Sequence, residues 1–137
     1  MFYVFRLTKG MDLKKEIEDF VMNNKISGVI LSSVGSLSHL TIRLADGKSI
    51  LNLDGEFEIV SVTGTLSPDG VHIHISVGDR EGNVIGGHLK NGCIVHTTCE
   101  VVLGKVDPFQ FRREMDEETG YQELVVTKEK DHLTNQL

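Results

Sequence analysis

The chain has 137 residues, with 14 Lys or Arg against 20 Asp or Glu, so its formal net charge is −6 at pH 7. This length predicts one domain with one hydrophobic core. Apolar residues make up 39% of the chain, which is typical of a globular protein and too high for a disordered one. The acidic balance weighs against binding nucleic acid mainly through phosphates, because such proteins usually present a basic face.

The sequence indicates a reduced, cytoplasmic protein. No apolar run approaches the ~20 residues that a membrane-spanning helix needs, and residues 1–6 lack the layout of a secretory signal peptide. Cys93 and Cys99 fall in one predicted strand. A continuous strand would hold them about 20 Å apart, which is too far for a disulfide. Reduced cysteines favour the cytoplasm.

The first hundred residues contain one predicted helix. Residues 2–7 are apolar and aromatic and predict a strand. Asp12 is a typical N-cap residue. The apolar residues after it recur at helical spacing, and the helix should end at residues 23–24. These apolar residues are Leu13, Ile17, Phe20 and Val21.

From residue 28 onward, strand-like segments alternate with turn signals about every ten residues. Short turns predict mostly antiparallel pairs. Gly35 and Gly55 predict turns. The charged residues over 108–118 predict a turn of helix or a structured loop, and residues 128–137 predict a polar tail. The expected strands are 28–34, 37–44, 49–53, 57–66, 71–77, 83–89, 93–103 and 121–127.

Residues 71–77 carry the most informative chemistry. Strict alternation places His72 and His74 on the same face of a strand, opposite the apolar residues. Histidines at i and i+2 have Cα atoms about 6.6 Å apart, so both imidazoles can bind one ion. The alternative is that both are ordinary polar residues on a solvent-facing surface.

A third histidine strengthens the metal interpretation. His88 follows two glycines in the next predicted strand and comes near the same region if the hairpin closes around residues 79–82. The glycines would allow other groups to approach closely. Three histidines with an open fourth position form a familiar zinc site. Iron, manganese, nickel and copper accept the same ligands.

Other candidate residues have weaker support. Glu100 is a carboxylate in an otherwise apolar segment and is a candidate general base or a partner for a ligand histidine. An outward-facing charge is the alternative. His39, His96 and His132 have no comparable partners in the sequence, and the pair at 112–113 suggests surface ion pairs.

Several segments, taken in their order along the chain, resemble the PPC domain, the plant and prokaryote domain of unknown function. They are residues 55–66, the His-x-His-x-Ser of 72–76, residues 82–89, 97–100 and 116–124. The resemblance covers about residues 3–126. It implies an α+β fold over residues 1–127, a mostly antiparallel sheet of about seven strands flanked by helices, assembled as a homotrimer.

The resemblance implies two functions. Some prokaryotic members look like metal proteins with histidines at the positions of His72, His74 and His88, which plant members generally lack. In plants the domain follows an AT-hook in nuclear DNA-binding proteins, but this sequence has no Arg-Gly-Arg-Pro-like segment. We therefore expect a divalent metal, zinc, and a small-molecule ligand, with DNA binding or transcriptional regulation as the alternative. A cupin-like enzyme is disfavoured because Gly78 replaces the usual glutamate.

Overall fold

The computed structural model describes residues 1–129, which form eight strands and one helix. Six strands make one antiparallel sheet in the order β1-β6-β2-β3-β4-β5, and β7 pairs with β8 in a second sheet. The elements are β1 Phe2–Thr8, α1 Leu13–Asn23, β2 Gly28–Arg43, β3 Ile50–Ser67, β4 Gly70–Gly78, β5 Val84–Leu89, β6 Ile94–Lys105, β7 Phe109–Met115 and β8 Gln122–Lys128.

The large sheet curls back on itself. The end of β2 pairs with β5 as well as with β3, so β2, β3, β4 and β5 form a closed circuit of hydrogen-bonded strands. The register of β2 and β3 shifts at bulges, which increase strand twist and help such closure. This closure brings residues of β2 next to residues of β5, which are distant in sequence.

One core fills the space between the sheet and α1. The predicted helical residues Leu13, Ile17 and Val21 are completely buried. Asp12 caps the helix, because its side chain accepts hydrogen bonds from the backbone N–H of Lys15 at 3.1 Å and of Gly92 at 2.7 Å. The second bond ties the helix start to the turn before β6.

The structure has fewer helices than the resemblance implies. A mostly antiparallel sheet is present, but the described chain has one short helix rather than several flanking it. The charged segment 108–118 is mainly neither a turn of helix nor a loop, because most of it is β7, paired with β8. Its charges lie on an exposed two-stranded sheet, a setting that local charge density does not reveal.

Two glycines expected in turns lie inside long strands instead. Gly35 is within β2 and Gly55 is within β3. A Cβ on Gly35 would lie 2.1 Å from the carbonyl oxygen of Thr98 in β6. Glycine at this position therefore marks a close approach of two backbones rather than a reversal of the chain.

Both cysteines are buried free thiols. Burial raises the pKa of the Cys93 thiol to about 11 and also raises that of Cys99. Both side chains therefore stay protonated and unreactive near neutral pH. Within the described residues 1–129, the one helix, α1, is too short and too polar to cross a bilayer.

Candidate metal centre

The three predicted histidines meet on the outer surface of the closed circuit. His74 and His88 are register partners in β4 and β5, and His72 lies two residues along the same face of β4. The alternating residues Ile73 and Ile75 are buried beneath them. The period-two pattern therefore anchors β4 through its apolar face and projects both of its histidines outward.

The ligand atoms of the three side chains are close enough to share one ion. One nitrogen from each of His72, His74 and His88 lies within 4.8 Å of the others. The Nε2 atoms of His72 and His74 are 3.2 Å apart. Two nitrogens bound tetrahedrally to zinc are separated by about 3.3 Å, given metal–nitrogen distances of about 2.0–2.1 Å. This pair thus already has the spacing that zinc requires.

The two glycines before His88 explain how this geometry arises. A Cβ on Gly86 would lie 2.6 Å from the carbonyl oxygen of Ile75 in β4. A Cβ on Gly87 would lie 2.5 Å from the carbonyl oxygen of Arg43 in β2. Glycine at both positions lets β5 pack tightly between β4 and β2, which fixes His88 beside His74.

Burial and nearby positive charge lower the pKa of two of these imidazoles, His72 and His88. Burial and the positive charge of Arg43 lower the pKa of His88 to about 4. Burial, His74 and Arg113 lower the pKa of His72, whereas Glu123 has the opposite effect. Neutral imidazole is the form that binds metal ions. The site thus holds at least two ligands in their binding form at neutral pH.

The residues present fit a metal ion. His88 is half-buried, and its Nδ1 has no hydrogen-bond partner among residues 1–129. A buried polar atom without a partner is destabilising unless a ligand or water satisfies it. Three imidazoles with a free side facing solvent are a donor set typical of zinc with an exchangeable fourth ligand.

Sequence reasoning missed the arginines around the cluster. Arg43 is the register partner of His88 across the β2–β5 pair. Arg113 of β7 donates a hydrogen bond to the Thr65 hydroxyl at 2.8 Å, and Thr65 is the register partner of His72. Arg112 instead pairs with Glu114 at 3.2 Å, as a surface role predicts. Only the long-range strand pairing reveals the first two positions.

Glu100 does not join the histidines within one chain. It is exposed on β6, opposite Arg6 of β1 and Val34 of β2. Val34 lies nine residues before Arg43 on β2, and Arg43 is the register partner of His88. Nine residues of strand extend about 30 Å. Glu100 is therefore not part of the histidine cluster within the described chain.

The other histidines lie outside the cluster. His39 contacts the side chain of Asn52 and also that of Asp54, at 2.6 Å from Nδ1. The hydrogen bond with Asp54 raises the pKa of His39. His96 is exposed on β6, and His132 is beyond the described residues.

The family follows from a comparison with known proteins. Residues 1–107 match the Plants and Prokaryotes Conserved (PCC) domain. The chain belongs to this family. It is the domain that the sequence motifs above resemble, under the abbreviation PPC.

Curated relatives carry this domain as part of longer proteins. The chain is 45% identical over 127 residues to the Bifunctional protein GlmU of a Synechococcus species, with 92% of this chain and 20% of that protein covered. It is 28% identical to AT-hook motif nuclear-localized protein 2 of Arabidopsis thaliana, covering 74% of this chain and 33% of that protein. The chain thus spans about a fifth to a third of these relatives.

Solved structures share the fold over nearly the whole chain. A hypothetical protein from Salmonella has a TM-score of 0.89 and 35% identity, with 93% of this chain and 94% of the other covered. A metal-containing protein from Archaeoglobus fulgidus has a TM-score of 0.69 and 26% identity, with 91% and 93% covered. The PCC fold therefore occurs in a protein described as containing metal.

Proposed function

We propose that this PCC-domain protein binds one divalent transition metal ion, zinc, through His72, His74 and His88. The observation that carries the proposal is the convergence of three imidazole nitrogens within 4.8 Å of one another on a well-packed strand pair. The metal-containing relative from Archaeoglobus fulgidus supports it. When bound, the ion would act as a Lewis acid toward an exchangeable ligand on its open side.

The rest of the proposal concerns how the chain uses this ion. His74 and His88 lie at the edge of a cavity of about 530 Å³, whose other lining residues include Ser61, Thr63, Ser76 and Gly86. That volume is in the range that holds a small molecule. We propose small-molecule binding in the cytoplasm, and a role for Glu100 as a base only if a neighbouring copy supplies it.

Metal uptake tests the proposal. Untagged protein should contain, or take up on titration with Zn²⁺, one equivalent of metal per chain, measured by elemental analysis after dialysis. Less than a tenth of an equivalent, with none taken up on titration, would exclude the site.

Metal affinity is also expected to depend on pH in a defined direction. Protons compete with the ion for the imidazole nitrogens. The pKa of His88 is about 4 and that of His72 is lowered from its ordinary value of 6.5. Affinity should therefore change little between pH 8 and 7 and fall as the pH approaches 4, as measured by competition with a chromophoric chelator. An affinity unchanged from pH 8 to 4 would mean that histidines are not the ligands.

We further propose that the chain assembles as a homotrimer. An apolar patch lies on the exposed face of β1, β6 and β2, where Phe2 and Leu31 flank Gly104, and Val4 lies opposite Val102. Phe2, Val4 and Leu31 are all more than half exposed. Apolar patches of this kind usually mark interaction sites.

Sedimentation equilibrium tests the assembly. The expected mass is three times the 15.2 kDa of the chain. Val4→Asp should lower it, whereas Val126→Asp, also exposed but in the small sheet, should not. A wild-type mass of one chain would contradict the proposal.

DNA binding is the second candidate, favoured by the similarity to an AT-hook motif nuclear-localized protein. The net charge of −6 opposes it, since electrostatic contacts with phosphates supply most non-specific affinity. We expect no mobility shift with micromolar protein at about 50 mM salt, where such binding is strongest. A salt-sensitive shift under these conditions would favour the DNA-binding role.

A further inference from the structure

We propose that the exchangeable ligand of this site is a small oxyanion, a carboxylate or phosphate group, held between the metal ion and the guanidinium of Arg43. The inference rests on the metal-binding function proposed above and specifies the chemical class that the site accepts. Its basis is the row of side chains that the strand pairing places across the closed circuit.

The strand register sets Arg43 directly beside the histidines. Thr63 pairs with His74, His74 with His88, and His88 with Arg43. Register partners in antiparallel strands project from the same face, with Cβ atoms about 4.5–5.5 Å apart. The guanidinium is thus attached one strand away from a metal ligand, which suits a ligand that touches both groups.

Arg43 is held in place but has unused hydrogen-bonding capacity. Its guanidinium carbon lies 5.9 Å from the centre of the Tyr121 ring, within the range of a cation–π contact. Its Nε is buried and has no hydrogen-bond partner in residues 1–129. Arginine presents a planar fork of donors that matches the oxygens of carboxylate and phosphate. Arg43 lines the cavity beside His74 and His88, where an oxyanion would supply acceptors to the part of this fork that faces the cavity.

The charges around the site favour an anion. Three neutral imidazoles leave the full charge of a divalent ion uncompensated. Arg43 and Arg113 add positive charge near His72 and His88, and Glu123 is the acidic group that acts on His72 from β8. A cationic pocket on a chain of net charge −6 concentrates anions locally.

Anion binding to the metal-loaded protein tests this inference. Co²⁺ replaces Zn²⁺ in the same ligand sets and has visible absorption bands that respond to its fourth ligand. Inorganic phosphate and sodium acetate would be titrated separately into the Co²⁺-loaded wild type, Arg43→Gln and Arg43→Lys. Arg112→Gln is the matched control, because Arg112 forms a surface ion pair with Glu114. Metal affinity of each variant would be measured in parallel.

We expect phosphate or acetate to change the spectrum of the wild type and of Arg112→Gln at the same concentrations. Arg43→Gln should lower the affinity for that anion at least about 10-fold, because a hydrogen bond to a charged group is lost. Its affinity for Co²⁺ should change little. Arg43→Lys should restore part of the affinity because it keeps the charge without the fork. Whichever of phosphate and acetate binds with the higher affinity identifies the ligand class.

Three results would overturn the inference, and they distinguish a wrong oxyanion assignment from a missing metal site. If the wild type binds Co²⁺ but neither anion alters its spectrum, or if Arg43→Gln binds the anion as tightly as wild type, the oxyanion assignment is wrong while the metal site stands. If the wild type binds no Co²⁺ or Zn²⁺, the metal-binding function itself fails, and this inference fails with it.

Discussion

Replacing His88 by alanine is expected to lower the affinity for Zn²⁺ at least about 100-fold. Substitution of groups that only support a metal ligand typically costs 10–100-fold, and loss of a direct ligand should cost as much or more. His88 is one of three nitrogens in the cluster, so its loss leaves two ligands on one strand. Competition with a chromophoric chelator measures the change.

His96→Ala is the matched control for this experiment. His96 is an exposed strand histidine on β6 and lies outside the cluster. The His96→Ala variant should bind Zn²⁺ with wild-type affinity. Equal affinities for His88→Ala and wild type would show that the metal binds elsewhere, and circular dichroism would confirm that both variants remain folded.

Gly87→Ala is expected to destabilise the protein by about 1–3 kcal/mol, the usual cost of inserting a methyl group where no space exists. The new Cβ would lie 2.5 Å from the backbone oxygen of Arg43, so β5 must move away from β2. That movement also displaces His88, and Zn²⁺ affinity should fall together with the free energy of unfolding in urea.

Gly78→Ala separates this effect from a general loss of glycine. Its Cβ would meet the Val60 side chain at 3.6 Å, an ordinary contact, and its backbone is not in the left-handed region. We expect a change within about 0.5 kcal/mol and unaltered Zn²⁺ binding. A Gly87→Ala variant as stable as Gly78→Ala would mean that tight closure of β5 on β2 is not required.

The parts of the site that lie on one hairpin could be predicted from the sequence. Period-two alternation in β4 assigns His72 and His74 to one face, and a short turn brings β5 alongside. The glycine pair before His88 correctly suggested close backbone contacts. These signals are local, because each depends on residues fewer than twenty positions apart.

The surroundings of the histidines could not be predicted in this way. Arg43 reaches His88 through the pairing of β2 with β5, and Arg113 reaches His72 from the second sheet. Neither pairing has a local sequence signature. The continuation of β2 through Gly35 could not be predicted for a related reason, because a glycine indicates a turn or a close backbone approach equally well. The distant backbone of Thr98 decides between them.

The most direct test of the metal site is an anomalous difference map from zinc-loaded crystals, with data collected on both sides of the zinc absorption edge. We predict one peak per chain, bonded to one nitrogen of each of His72, His74 and His88 at about 2.0–2.1 Å. A fourth ligand should face the cavity beside Arg43. A map without a peak among these histidines, or with zinc bound only elsewhere, would contradict the account.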